Sequence, residues 1–139
     1  MSGPHGLDPT AAAGGFLDAI GGTVDGMTGD GGTMTVPVGP HLFQPYGIVH
    51  GGVFCTIVET LASLAAAAWF GERGDVVGVA NHTNFLRAVR TGTLHAVASP
   101  IHRGRSQQLW LVEISDDEGR PVARGEVRLA NLTSATGLG

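Results

Sequence analysis

The sequence contains no lysine: all eight of its basic residues are arginine. Arginine forks onto phosphates and carboxylates where lysine offers a point charge, so the places where these eight gather carry information. A composition bias in the encoding genome accounts for the same absence equally simply. One cysteine, Cys55, excludes an internal disulfide and fits a reducing, cytoplasmic setting. The six histidines form no HxxxH or Cys/His grouping, so no metal site is expected. The chain has no Gly-x-Ser-x-Gly elbow and so no support for a serine-esterase mechanism. A formal charge of −4 gives no general reason to expect nucleic-acid or membrane-surface binding. Met1-Ser2-Gly3-Pro4-His5 shows no basic segment leading into an apolar one, so no secretory signal is expected.

What is present is a globular composition, 42% apolar over 139 residues, expected to make one domain across 1–139 with a disordered tip at 1–7. Asp8-Pro9 is an N-cap signal for a short helix over 9–20, weakened by Gly14-Gly15. A glycine-rich stretch with a short strand near 23–27 comes next, then an alternating strand over 33–38 with Pro37 at an edge or end. The run 53–70 is long enough to span a membrane, but it holds Thr56, Glu59, Thr60 and Ser63, which favours a buried helix of a soluble protein. Four strand patterns follow, at 76–81 (extending to Phe85 at most), 93–102, 107–115 and 121–132, with a hairpin signal at Asp116-Asp117-Glu118-Gly119. The order implies an α+β fold in which a curved antiparallel sheet wraps a central helix at about 51–70.

Chemistry concentrates in Gln44-Pro45-Tyr46-Gly47-Ile48-Val49-His50-Gly51-Gly52 and the helix it opens. Glycines at a helix start leave N–H groups available at the positive end of the dipole, an oxyanion site or simply a tight turn. Glu59 is the helix's one charged residue, and Cys55, Thr56, Ala62, Ser63 and Ala66 share its small, polar stripe. A carboxylate beside a hydroxyl on a core helix suits a general base or nucleophile with a partner that positions water. Gly51 and Glu59 are eight residues apart, about 12 Å along a helix. An oxyanion donor and the group attacking the same carbonyl must lie much closer than that. Two antiparallel copies of the helix would satisfy both, so a catalytic pair here predicts a homodimer with shared sites. Cys55, on a core-facing helix, is expected to be inert packing, and His82 and His95 to sit on strands.

The motif Gln44-Pro-Tyr-Gly-Ile-Val-His-Gly-Gly with Glu59 and Ser63 resembles the hotdog-fold acyl-CoA thioesterases of the PaaI-like type. The likeness is to the branch of the 1,4-dihydroxy-2-naphthoyl-CoA, 4-hydroxybenzoyl-CoA and enterobactin proofreading thioesterases, and runs from about Thr33 to Leu132. The resemblance implies Glu59 as nucleophile or general base, Gly51 N–H polarising the thioester carbonyl, and Gln44 and His50 orienting the carbonyl or thiol. Ser63 would hold water or steady Glu59. It also implies CoA contacts at Arg87, Arg90, His102, Arg103, Gly104, Arg105 and Ser106, no metal or redox cofactor, and a homodimer that pairs into a homotetramer. Phe54, Trp69 and Phe85 are candidates for the acyl pocket. Two rivals remain: a non-catalytic acyl-CoA or acyl-carrier-protein binder, and an enoyl-CoA hydratase, whose Asp–Asn-Pro–His signature is missing.

Overall fold

Six antiparallel strands pack around one long helix. The computed structural model describes residues 14–133. The elements are α1 (Gly14–Ile20), β1 (Thr23–Thr28), β2 (Gly31–Pro37), α2 (Gly51–Phe70), β3 (Gly74–Phe85), β4 (Thr93–Arg103), β5 (Gln107–Ser115) and β6 (Pro121–Thr133), with a short 3-10 turn at Pro40–Leu42. The central helix begins and ends where its signals put it. His50 is the N-cap, accepting from Gly52 N–H, and Gly71 turns the chain out at a φ of 61°. The first helix is seen only from Gly14; the expected turn at 9–13 and the tip at 1–7 lie outside the described residues.

The sheet order is β1-β2-β4-β5-β6-β3. The hairpin signalled at 116–119 joins β5 to β6, and β4 pairs with β5, but β3 does not pair with its sequence neighbour β4. It crosses over to β6, pairing from Gly74↔Thr133 to Phe85↔Ala123. Pro37 therefore ends a strand that lies inside the sheet, and β3 becomes a twelve-residue edge. The helix packs against all six strands. Ile57, Val58, Leu61, Ala62, Ala65 and Ala66 are fully buried against Trp110, Val112, Val127 and Leu129. Burying one such large side chain stabilises by about 1.5–3 kcal/mol, so this seam dominates the fold. Gly125 permits the close approach, since a Cβ there would lie 2.7 Å from Val58. The stretch Gly51–Arg73 is apolar enough for a membrane span, yet half of its 18-residue window is buried inside the domain. It is the core helix of this fold, packed against all six strands.

At the β5–β6 turn, Asp116 Oδ1 accepts from Glu118 N and Arg120 N at 3.0 Å each, and Oδ2 accepts from Arg120 Nε at 2.8 Å. Burial alone pushes this carboxyl up. The backbone and guanidinium donors of Arg120, the N–H of Glu118 and the charge of Arg120 outweigh that and hold it below the ordinary 3.8.

Candidate active site

Glu59 lies on α2 beside the edge strand β3, partly exposed. It lines a groove of about 420 Å³ together with Phe16, Cys55, Thr56, Thr60 and Asn81. Ser63 Oγ donates to its Oε2 at 3.3 Å, the i, i+4 contact that helical spacing predicts. Asn81, absent from the sequence-predicted set, donates from Nδ2 to Glu59 Oε1 and to Cys55 O, at 3.2 Å each. Thr83 Oγ1 in turn donates to Asn81 Oδ1 at 2.7 Å, which fixes the amide's orientation. The carboxylate is thus held by two neutral donors and has no arginine partner among the described residues.

Room for that carboxylate comes from β3. A Cβ at Gly78 would lie 2.1 Å from Glu59 Oε2. The pairing of β3 with β6 slips between Gly78 and Ala80, which marks Val79 as a bulge. A glycine followed by a bulge is a usual way for a strand to give way locally to a side chain packed against it.

The helix start resolves into separate donors. Gly52 N–H goes to His50 Nδ1 at 2.8 Å and Val53 N–H to His50 O at 2.9 Å. Among the described residues nothing accepts from Gly51 N–H. It is the open donor at the positive end of the dipole. Because His50 Nδ1 is an acceptor, neutral His50 carries its proton on Nε2, which leaves the exposed nitrogen as a donor. Gln44 Oε1 accepts from Tyr46 N–H, so its Nε2 amide is the free end. Phe85 closes one side: a Cβ at Gly51 would lie 2.5 Å from its ring. That ring also meets Phe54 at 5.8 Å between centroids. Phe85 thus covers the helix start. Phe54 is buried core, and Trp69 lies against the β1–β2 turn at Gly29, far along the helix. The aromatic side chain that lines the Glu59 groove is Phe16, 71% exposed, on α1.

The four arginines of the expected CoA contacts divide into two groups. Arg87 and Arg90 flank Val89, whose carbonyl accepts from Val49 N–H at 2.9 Å, which ties their segment to the Gly51 end of the helix. Arg103, Gly104, Arg105 and Ser106 lie at the far end of β4, roughly 30 Å away at the usual rise per residue. His102 is exposed beside them, packed against Gly104. Arg103 already has partners: Gly29 O at 2.7 Å, Asp30 Oδ1 at 2.9 Å, and the Trp69 ring at 5.8 Å. It clamps the β1–β2 turn, whereas Arg87, Arg90 and Arg105 are exposed and have no ion-pair partner among the described residues.

Residues 46–123 match the model of the thioesterase superfamily, 4HBT. The chain belongs to the thioesterase superfamily. It has the hotdog fold and is a thioester hydrolase. It is 33% identical over 98 residues to the 1,4-dihydroxy-2-naphthoyl-CoA hydrolase of Escherichia coli, covering 70% of this chain and 72% of that one. It is 35% identical over 98 residues to the proofreading thioesterase EntH of Cronobacter sakazakii, with the same coverage of 70% and 72%. Among solved structures, AziG of S. sahachiroi superposes with a TM-score of 0.85 at 45% identity, covering 86% of this chain and 98% of that one. Thioesterase HI1161 of Haemophilus influenzae gives 0.83 at 31% identity, covering 88% and 85%. The non-catalytic binder and the hydratase both give way to the hydrolase.

Proposed function

We propose that the protein hydrolyses an acyl- or aroyl-CoA thioester to the free acid and CoA, with Glu59 as the attacking group or the base for water. The supporting observation is the Glu59 carboxylate in an open groove, held by Ser63 and Asn81 and unneutralised by any cation among the described residues. As base, Glu59 takes a proton from water while the water oxygen bonds to the carbonyl carbon. The C–S bond then breaks, and the thiolate leaves and is protonated. As nucleophile, Glu59 forms an acyl anhydride with loss of the thiolate, and water then cleaves the anhydride. In both routes the Gly51 N–H stabilises the oxyanion, and the free donors of Gln44 and His50 orient the carbonyl and the leaving sulfur.

The site is completed by a second copy. Gly51 touches Phe85, and Gly78 meets Glu59, so β3 runs beside the helix and opposite to it. A two-fold axis that sets Gly51 against the partner's Glu59 passes the helix near Cys55 and β3 near Asn81 and His82. Two exposed β3 edges would then pair antiparallel, which covers an edge that a lone chain leaves open. The same axis carries the Arg87–Arg90 segment of one subunit toward the 104–106 loop of the other, joining two arginine groups that one chain keeps apart. We take these as the CoA-phosphate contacts, the dimers as pairing into a tetramer, and the compartment as cytoplasmic.

Glu59→Gln tests the chemistry. With thiol release followed over a panel of aromatic and aliphatic acyl-CoAs, it should lower kcat by about 10²-fold or more while the protein still binds CoA. Unchanged turnover would refute the assignment.

A further inference from the structure

A buried amide relay joins the central helix to the 104–106 loop. Gln108 is fully buried on β5, in a layer that is otherwise Trp110, Leu129 and Ala66. Its Nε2 donates to Ala66 O at 3.3 Å and to Asn131 Oδ1 at 2.8 Å, and its Oε1 accepts from Trp110 Nε1 at 2.8 Å. Asn131, on β6, passes the connection outward. Its Nδ2 donates to Gly104 O at 2.9 Å and Arg105 O at 3.2 Å, and its backbone N–H donates to Ser106 O at 2.9 Å. The carbonyls of three successive loop residues are thereby turned onto one asparagine.

The relay is more than packing requires. Apolar side chains of similar size would fill the same volume, although in place of Gln108 they would strand the buried Trp110 Nε1–H that its Oε1 accepts. A fully satisfied amide network instead specifies one arrangement of what it touches. What it touches is the loop that carries Arg105 and Ser106. With the three carbonyls drawn inward, nothing among the described residues accepts from the N–H groups of Arg105 and Ser106. Exposed backbone donors with no protein acceptor, beside a guanidinium and a hydroxyl, suit an anion. The inner end of the relay is Ala66, seven residues after Glu59 on the same helix, about 10 Å along its axis.

We infer that Asn131 and Gln108 are positioning residues, which hold the Arg105–Ser106 donors at a fixed place relative to Glu59 so that they receive the phosphates of the CoA nucleotide. This rests on the CoA reading above. Neither residue touches the reacting atoms, so their removal should weaken capture of the nucleotide and leave the chemical step alone.

The experiment compares each acyl-CoA with the same acyl group on pantetheine, which has the reacting thioester but no nucleotide phosphate. Asn131→Leu should raise KM for the acyl-CoA about tenfold, with kcat within about twofold and KM for the pantetheine thioester unchanged. Gln108→Met should shift the same KM in the same direction by less. General damage to the fold would move both substrates together, and that result would overturn the inference. Should Asn131→Leu fail to fold, Asn131→Ser, which adds no apolar bulk, makes the same comparison. Arg105→Ala separates the two levels. If it raises KM for acyl-CoA and Asn131→Leu does not, the positioning role fails and the CoA contact stands. If Arg105→Ala changes neither KM, the loop does not hold the nucleotide, and the positioning role falls with it.

Discussion

Gly78→Ala should inactivate the enzyme without unfolding it. The new methyl would lie 2.1 Å from Glu59 Oε2 and 3.1 Å from its Cδ, where an ordinary contact begins at 3.4 Å. What must yield is the end of a flexible side chain, so the overpacking cost is small. Gly78 has no left-handed φ, and alanine in a strand carries less conformational entropy cost than glycine. The melting temperature should hold or rise slightly. The carboxylate, however, must withdraw by about 1 Å or more, and a misplacement of that size costs about 10²-fold in rate. Removing one methylene from the acid isolates the cause. In a Glu59→Asp background the carboxylate no longer reaches the new methyl, so adding Gly78→Ala should cost little further. The double-mutant cycle in thiol release should therefore show a coupling of about 2.7 kcal/mol, the equivalent of a hundredfold. Full activity in folded Gly78→Ala, or an equal loss in both backgrounds, would show that the position of this carboxylate is not what catalysis depends on.

Two other perturbations follow from single contacts. Asn81→Ala removes one donor from the Glu59 carboxylate; a hydrogen bond to a charged group contributes about 1.5–3 kcal/mol, so kcat should fall at least about tenfold with KM little changed in steady-state assays. Asp116→Asn tests the β5–β6 turn: the folded carboxyl is held below 3.8, so its stabilisation is present above that value and is lost as pH falls through the lower folded value. The melting temperature of the unsubstituted protein should exceed that of Asp116→Asn near neutral pH, and the gap should close in strong acid.

Much of this site is visible in the chain because it is local. The His50 cap, the Gly51 donor, Glu59 and Ser63 lie within one loop and four helical turns, where spacing converts directly into geometry. Asn81 was invisible because its bond to Glu59 spans 22 residues and depends on β3 lying beside the helix. That placement arises from a crossover, and strand patterns alone favour the simpler hairpin with β4. Gly78 is one glycine among the valines of β3 until Glu59 is seen against it. The two arginine segments are separate in the sequence, and the eleven-residue strand β4 between them sets how far apart they lie. Arg103 shows the limit of composition, since its guanidinium is engaged by Asp30 and Gly29, more than seventy residues earlier.

The central claim is that each site takes Glu59 from one subunit and Gly51 from the other. Mixing two inactive variants tests it most directly. Glu59→Ala lacks the carboxylate, and Gly51→Ala drives a methyl into Phe85 and displaces the oxyanion donor. If the subunits are mixed in equal amounts and allowed to exchange, half the dimers are mixed. Each mixed dimer holds one site with both defects and one intact site, so thiol release should recover to about a quarter of the unsubstituted rate. Activity that stays at the sum of the two parents after exchange would place both residues in one subunit's site and contradict the account.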